Sequence, residues 1–455
     1  MDPIEALQAA LGPSQVLTGE AAAQAAAGRW QRLGAPIAVV RPSTTEEVAS
    51  VVRIAAEAGV PVTAWGGKTG LVDGCNATGA IALSLERMRA VERIDTGGAV
   101  MVVQAGCPLQ VATEAAEAAG LFLPLDLGAR GSATIGGMIS TNAGGNRVVR
   151  YGMTRDQVLG LEAVLADGQV ISSMNPLIKN NAGYDLKQLF IGTEGTLGIV
   201  TRAVLRLRPH PTTQAAAILA VESFDHLAPL LRRLEGELAG GLSAFEVMWP
   251  DYYQLVTAPP AKGRKVLPDG HAFYVLIEAL GANPHADQAR LETVLEALLE
   301  DELISDAAIA KSGAERDEMW ALRDDVTQTS RDGPIIAFDV GLPIDTMQAY
   351  VAEVRAALSA RTPASRLIIF GHLGDGNLHL IASLHRKEDR HAIEETVYAP
   401  LRAIGGTVSA EHGIGLQKKA YLTHSRSTAE ISLMRRVKAA LDPKGILNPG
   451  KIVDG

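Results

Sequence analysis

The sequence predicts an α+β protein built as two domains, and three observations carry the prediction. Its 455 residues exceed what one hydrophobic core ordinarily serves. Apolar runs of strand length alternate with amphipathic runs of helix length in both halves. Pro209-His210-Pro211 punctuates the chain between them.

The elements follow in order. Ile37 to Val40 is a short apolar strand, stopped by Pro42. Thr44 and Glu47 fit a capping box. Val48, Val51, Val52 and Ala55 follow at helical spacing until Gly59, and Val60 to Trp65 is a second strand. The unit repeats loosely as a strand over 99–105, a helix over 108–119 and a strand end over 121–123. Residues 124–145 change texture: too rich in glycine for a regular helix or strand, too apolar for a linker, they read as backbone wrapped closely around something. Strands return over 161–171 and 197–207. Beyond the boundary, strands over 215–221, 273–279, 335–340, 366–370 and 377–382 alternate with helices over 224–238, 287–300, 314–329, 345–358 and 388–403. The expected domains are therefore 1–210, completed by a turn-rich strip at 442–455, and 211–441. No tandem repeat is present.

Composition narrows the class. With 47% apolar and 20% charged residues, this is a folded soluble protein. A net charge of −9 argues against nucleic acid or an anionic membrane as the main partner. Cys75 and Cys107 form no CxxC pair, so neither a disulfide framework nor a thiolate metal site is suggested. No apolar run reaches membrane-spanning length, and Met1 to Glu5 begins no secretory signal. The expected location is the cytoplasm, with peripheral membrane contact as the alternative.

Two glycine-rich segments carry the first chemical signal. Trp65-Gly66-Gly67-Lys68-Thr69-Gly70 follows a strand, and its backbone N–H groups could cradle an anion, although a tight turn explains it equally well. It is no Walker A loop, because Val62 stands where the first glycine belongs and Gly70 and Gly74 break the required helix. Nor is it a Rossmann GxGxxG opening a helix.

Taken with the second segment, the chain resembles the FAD-linked oxidase family of the vanillyl-alcohol-oxidase, or p-cresol-methylhydroxylase, fold. The resemblance rests on Arg41 to Val48, Gly66 to Gly70, Pro124-Leu125-Asp126 through Gly145, Arg150-Tyr151-Gly152, Gly183 to Ile199 and Asn448-Pro449-Gly450-Lys451, all in family order. It implies a two-part FAD-binding domain and an α+β substrate domain with an antiparallel sheet. It also implies FAD contacts at Pro42, at Gly66, Gly67, Lys68, Thr69 and Gly70, and at Pro124, Asp126, Gly131, Thr134, Gly137, Asn142, Gly144 and Gly145. Further contacts fall at Tyr151, Gly152, Glu194, Gly195, Ile199 and Asn448. Lys68 replaces a smaller polar residue and is expected on a phosphate or in solvent. No histidine stands where some relatives attach flavin, so FAD is expected to be non-covalent.

Of ten histidines, His210, His226, His271, His285, His385, His391 and His424 lie in polar or turn contexts. Three do not. His372 and His379 flank a Gly-Asp-Gly turn, and Glu411-His412 sits in a glycine-bounded loop. Two histidines and a carboxylate suit a divalent ion with open positions. On spacing alone, a hydrogen-bonded turn with core histidines is the favoured reading. The resemblance, here to the metal-dependent D-2-hydroxy-acid dehydrogenase branch, reverses it. It implies metal ligation by His372, His379 and Glu411 (Zn²⁺ first, with Mn²⁺, Fe²⁺ or Co²⁺ as alternatives). It also implies substrate contact by Asn377 and a base at His412. Imidazoles ordinarily titrate at about 6.5 and can take a proton at neutral pH. Arg323 resembles the substrate-carboxylate arginine; without the resemblance, a solvated helix residue paired with Asp324 or Glu318 accounts for it equally well. Thr327, one helical turn on, is expected on the same face.

The resemblance makes D-2-hydroxyglutarate the lead substrate. One departure stands against it: Ala337 lacks the lysine that the branch places near there for the distal carboxylate, which leaves D-lactate, D-malate and larger apolar D-2-hydroxy acids open. An electron-transfer flavoprotein, a quinone or a cytochrome is the expected electron acceptor, and a homodimer the default assembly. The competing readings are a flavoprotein of net non-redox chemistry like the alkyl-glycerone-phosphate synthases, a zinc hydrolase whose glycine loops are only turns, and a binding module.

Overall fold

A computed structural model describes residues 2–28 and 31–454. The chain forms two compact units, Met1–Gly145 with Gly152–His210 and Glu411–Gly455, and Asn146–Tyr151 with Pro211–Ala410.

The first unit carries two main sheets. Strands β1 (Val16–Leu17), β2 (Ala38–Val40), β3 (Val62–Trp65) and β4 (Ile81–Ser84) form one in the order β1-β2-β4-β3, with the last three parallel. Strands β5 (Val91–Asp95), β6 (Val100–Gln104), β8 (Val158–Val164), β9 (Val170–Ser173) and β10 (Ile199–Arg206) form the other, antiparallel, in the order β5-β6-β10-β8-β9. Leu121–Phe122 (β7) pairs with Arg208–Pro209 (β11). The helix Thr45–Ala58 starts where Thr44 accepts the Glu47 N–H, ends at Gly59 in the left-handed region, and buries Val48, Val51, Val52 and Ala55.

Two local expectations are corrected. Residues 124–145 are not wholly irregular, for Ile135–Thr141 is a helix capped by Thr134, whose hydroxyl accepts the Gly137 N–H at 3.3 Å. Its glycines serve packing, since a Cβ on Gly136 would lie 2.6 Å from the Ala105 Cβ. The return to the first unit begins at Glu411, well before the expected strip at 442. Leu416 N–H donates to the Val72 carbonyl, and Lys438 Nζ donates to the carbonyls of Thr196 and Leu447 at 2.8 Å each. The strip itself lines β3, with Val62 N–H donating to the Ile446 carbonyl and Asn448 N–H to the Val62 carbonyl.

The second unit is one seven-stranded antiparallel sheet. Its strands are β12 (Thr213–Val221), β13 (Leu242–Met248), β14 (Phe273–Gly281), β15 (Asp306–Ile309), β16 (Ile335–Gly341), β17 (Leu367–Gly371) and β18 (Asn377–Ser383), ordered β15-β12-β14-β13-β17-β18-β16. The sequence reading lacked β13 and β15. Helices Pro250–Thr257 and Gly313–Asp324 pack on the sheet around Tyr252, Tyr253, Met319 and Leu322. Residues 146–151 belong to this unit because the Arg150 guanidinium donates to the carbonyls of Gly241 and Leu280 at 3.1 and 2.7 Å.

Candidate functional site

The hairpin of β17 and β18 positions two histidines. Its turn closes on Gly376 (φ 84°), and a Cβ on Gly371 would lie 2.5 Å from the Asn377 carbonyl oxygen. His372 directly follows the first strand. His379 lies on β18 opposite Phe370 of β17 and Asp339 of β16, and residues directly opposite share a face. His372 and His379 each bring a ring nitrogen within 4.8 Å of the other.

A buried carboxylate holds each ring. Glu246 on β13 meets His372 Nδ1 at 2.6 Å, and Asp339 meets His379 Nδ1 at 2.8 Å. A carboxylate at Nδ1 draws the ring proton there and makes Nε2 the ring's acceptor or ligand atom. Both lone pairs converge on one cation, for Arg323 Nη2 lies 3.1 Å from His372 Nε2 and 3.3 Å from His379 Nε2. Arg323 Nε donates to the second oxygen of Glu246 at 2.7 Å. Burial acts to raise the Glu246 carboxyl, but the His372 ring and the Arg323 guanidinium beside it outweigh that and hold it at about 2. Two imidazoles, each oriented through Nδ1 and aimed at a common cationic point, fit a divalent ion. Arg323 is thus buried and paired with Glu246, not with Asp324 or Glu318.

The remaining candidates divide. Asn377 is buried beside the pair: its N–H donates to the His372 carbonyl, and its side-chain oxygen has no partner among the described residues. Thr327 does not share a helical face with Arg323. The helix ends at Asp324, Thr327 sits in the 3-10 turn Val326–Ser330, and its exposed hydroxyl donates to Asp325 at 2.8 Å. Ala410 N–H donates to the Asp339 carbonyl at 2.9 Å, and Glu411 is the next residue in the chain. Glu411 and His412 belong to the first unit, His412 with φ 66°.

Within the first unit the two glycine segments meet. A Cβ on Gly66 would lie 2.4 Å from Thr134 Oγ1, and one on Gly67 1.9 Å from the Ser132 carbonyl oxygen, so only glycine allows the approach. Gly145 (φ 127°) abuts the Asp126 carbonyl in the same way. Among the described residues, none accepts a hydrogen bond from the backbone N–H groups of Gly66 to Gly70. Lys68 Nζ donates to the Ala25 carbonyl at 3.3 Å and lies 5.1 Å over the Trp65 ring. Asn448 donates to the carbonyls of Gly74 and Glu194, while its buried side-chain oxygen is unpartnered among the described residues. Unspent backbone donors beside glycine walls, with an orphaned amide oxygen, fit a nucleotide cofactor such as FAD. Glu194 accepts from the N–H groups of Ile414 and Gly415 at 2.6 and 2.8 Å. Gly195 (φ 72°), Asn142 (φ 49°) and Gly152 (φ 76°) also belong to the first unit, as do Pro42, Pro124, Gly131, Gly144 and Ile199; Tyr151 belongs to the second.

Glu246 and Asp339 were missed in the sequence. Each is a lone acid inside an apolar strand, Phe245-Glu246-Val247 and Phe338-Asp339-Val340, a pattern that marks a buried charge needing a partner.

Residues 210–452 match the C-terminal domain of FAD linked oxidases, and residues 36–173 match the FAD binding domain. The chain belongs to the FAD-linked oxidase family. It is 40% identical over 458 residues to the mitochondrial D-2-hydroxyglutarate dehydrogenase of Bos taurus, covering 99% of this chain and 83% of that one. It is 39% identical over 430 residues to the D-2-hydroxyglutarate dehydrogenase of Xanthomonas citri pv. viticola, covering 92% and 89%. Among solved structures, p-cresol methylhydroxylase superposes with a TM-score of 0.79 at 17% identity, over 99% of this chain and 96% of that one. The 4-ethylphenol oxidase from Gulosibacter chungangensis does so with 0.75 at 20% identity, over the same shares. The expected family and fold hold, and this member is an FAD-dependent dehydrogenase acting on CH–OH donors.

Proposed function

We propose that this dehydrogenase oxidises D-2-hydroxy acids to 2-oxo acids, with D-2-hydroxyglutarate as the lead substrate and a divalent metal at His372 and His379. The observation that carries the reading is the pair of Nε2 lone pairs, each set by a buried carboxylate and both aimed at one cationic point beside Arg323. The relatives' substrate supports the choice of acid. Glu411 is the proposed third ligand. It follows directly on Ala410, which the strand carrying Asp339 holds in place.

When bound, FAD supplies the hydride acceptor at N5 and the divalent ion supplies Lewis acidity toward the α-hydroxyl. The chain's own groups do the rest. Arg323 offers a guanidinium to the substrate carboxylate, a charge-assisted contact stronger than a neutral one. Asn377, whose buried side-chain oxygen has no partner among the described residues, contacts the substrate. His412 takes the hydroxyl proton on its ring nitrogen as the α-hydrogen leaves.

The test is turnover of D- and L-2-hydroxyglutarate with a dye acceptor, before and after chelation, in the wild type and in His379→Ala. The proposal requires D-specific turnover that chelation abolishes and Zn²⁺ or Mn²⁺ restores, with His379→Ala inactive but still yellow. Turnover indifferent to chelation would overturn the metal, and L-specific turnover would overturn the substrate.

A further inference from the structure

A cavity of about 200 Å³ opens on the same face of the second unit's sheet as the two histidines. The strand register shows the relation in three rows. Asp339, His379 and Phe370 stand opposite one another, then Ala337, Ile381 and Ile368, then Ile335 and Ser383. Arg366 joins the third row, its N–H donating to Ser383 Oγ at 2.7 Å. Ile335, Ile368 and Ile381 floor the cavity, with Ser383, Arg366 and Thr329 around it.

The middle row is open at its Ala337 end only, for Ile368 and Ile381 are buried. Ala337 is exposed within a strand whose neighbours Ile336 and Phe338 are buried, so a lane runs over it from the histidines to the cavity. No side chain of that row is charged. The first cation along the lane is Arg366, half exposed, with only a loose 3.9 Å contact to the still more exposed Asp332. A contact that long between exposed groups holds little and leaves the guanidinium available. Thr329, in the 3-10 turn Val326–Ser330, borders the cavity.

We propose that this cavity is the tail subsite of the substrate pocket and that Arg366 reads a second carboxylate there. The substrates are then D-2-hydroxy dicarboxylic acids, and six carbons serve at least as well as five. The inference rests on the proposed reaction and extends it. Strand geometry sets each row about 7 Å from the next, so Arg366 starts roughly 14 Å from His379. With bonds of about 1.5 Å, an arginine side chain reaches back roughly 7 Å and a six-carbon diacid extends roughly 5 Å beyond its α-carbon. A hydrogen bond of about 3 Å closes the remaining gap. A five-carbon diacid, shorter by about 1.3 Å, only just reaches.

The experiment compares D-2-hydroxyadipate, D-2-hydroxyglutarate and D-2-hydroxyhexanoate on the purified flavin-loaded protein; the last has the length of the first without its second carboxylate. In the wild type, kcat/KM for the adipate should equal or exceed that for the glutarate and exceed that for the hexanoate roughly 10- to 100-fold, as one charged hydrogen bond allows. Arg366→Ala should collapse the adipate-to-hexanoate ratio through the diacid's KM, and Arg366→Lys should restore part of it. Ala337→Phe, which fills the lane, should raise KM for both six-carbon acids while the flavin spectrum persists. A wild-type ratio near one, or an Arg366→Ala variant that loses both acids equally, would overturn the subsite while leaving the reaction intact. If no D-2-hydroxy acid is turned over, the reaction fails and the subsite with it.

Discussion

Glu246 faces His372 across 2.6 Å at its Nδ1, and the other oxygen of the same carboxylate takes the Nε proton of Arg323 at 2.7 Å. One buried acid therefore fixes both a candidate metal ligand and the candidate substrate-binding arginine. Its negative charge offsets the positive charge that either a guanidinium or a metal ion brings among these buried side chains. Such outer-shell partners set the tautomer and direction of the groups that touch the ligand.

Glu246→Gln should lower metal affinity by roughly 10- to 100-fold, the usual effect of losing a second carboxylate behind a ligating histidine. Metal content after dialysis against a graded chelator measures it. Retention equal to the wild type would show that Glu246 does not hold a ligand.

The same variant should change the acid limb of stability. Glu246 titrates at about 2 in the fold, below the 4.5 ordinary for a glutamate. A lowered carboxyl stabilises the fold fully above its unfolded value and loses that contribution as pH falls through the folded one. The wild type should therefore lose this contribution between pH 4.5 and about 2, as urea midpoints will show. In Glu246→Gln that part of the slope should vanish, and at neutral pH the unpaired Arg323 should cost about 3–5 kcal/mol.

Glu194→Ala should loosen the segment that follows His412. Its carboxylate accepts the N–H groups of Ile414 and Gly415, and burial pushes its pKa up against those bonds. Leaving the two donors without a partner should cost roughly 1–3 kcal/mol each. The denaturation midpoint should fall, and turnover should fall further than flavin content, since Glu411 and His412 lead directly into that segment. An unchanged midpoint would contradict this role.

Gly136→Val should destabilise the first unit by overpacking. Even the first added carbon would lie 2.6 Å from the Ala105 Cβ and 2.9 Å from the Ala105 carbonyl oxygen. The expected cost is about 1–3 kcal/mol or more, read as a lower Tm and weaker flavin retention.

The sequence reveals the parts of this molecule whose signal is local. The helix Thr45–Ala58 is legible because cap, periodicity and terminal glycine agree along one stretch. The His372–His379 hairpin is legible because two histidines flank a glycine turn. Glu246 and Asp339 act through partners far along the chain, and a lone acid in an apolar strand does not name its partner. Thr327 was misplaced because spacing assumed an unbroken helix, whereas Asp325 (ψ 47°) ends it. The helix Ile135–Thr141 was missed because its glycines lower helix propensity, while the close approach to Ala105 that favours them is tertiary.

The central claim is that this flavoprotein removes hydride from a D-2-hydroxy acid held beside His372, His379 and Arg323. The most direct measurement is the visible flavin spectrum of the purified protein, without oxygen, as D- and then L-2-hydroxyglutarate are added. The account predicts prompt bleaching by the D acid alone, lost in Arg323→Ala, whose flavin should remain bound. A flavin that stays oxidised with every D-2-hydroxy acid, or one bleached equally by both enantiomers, would contradict it.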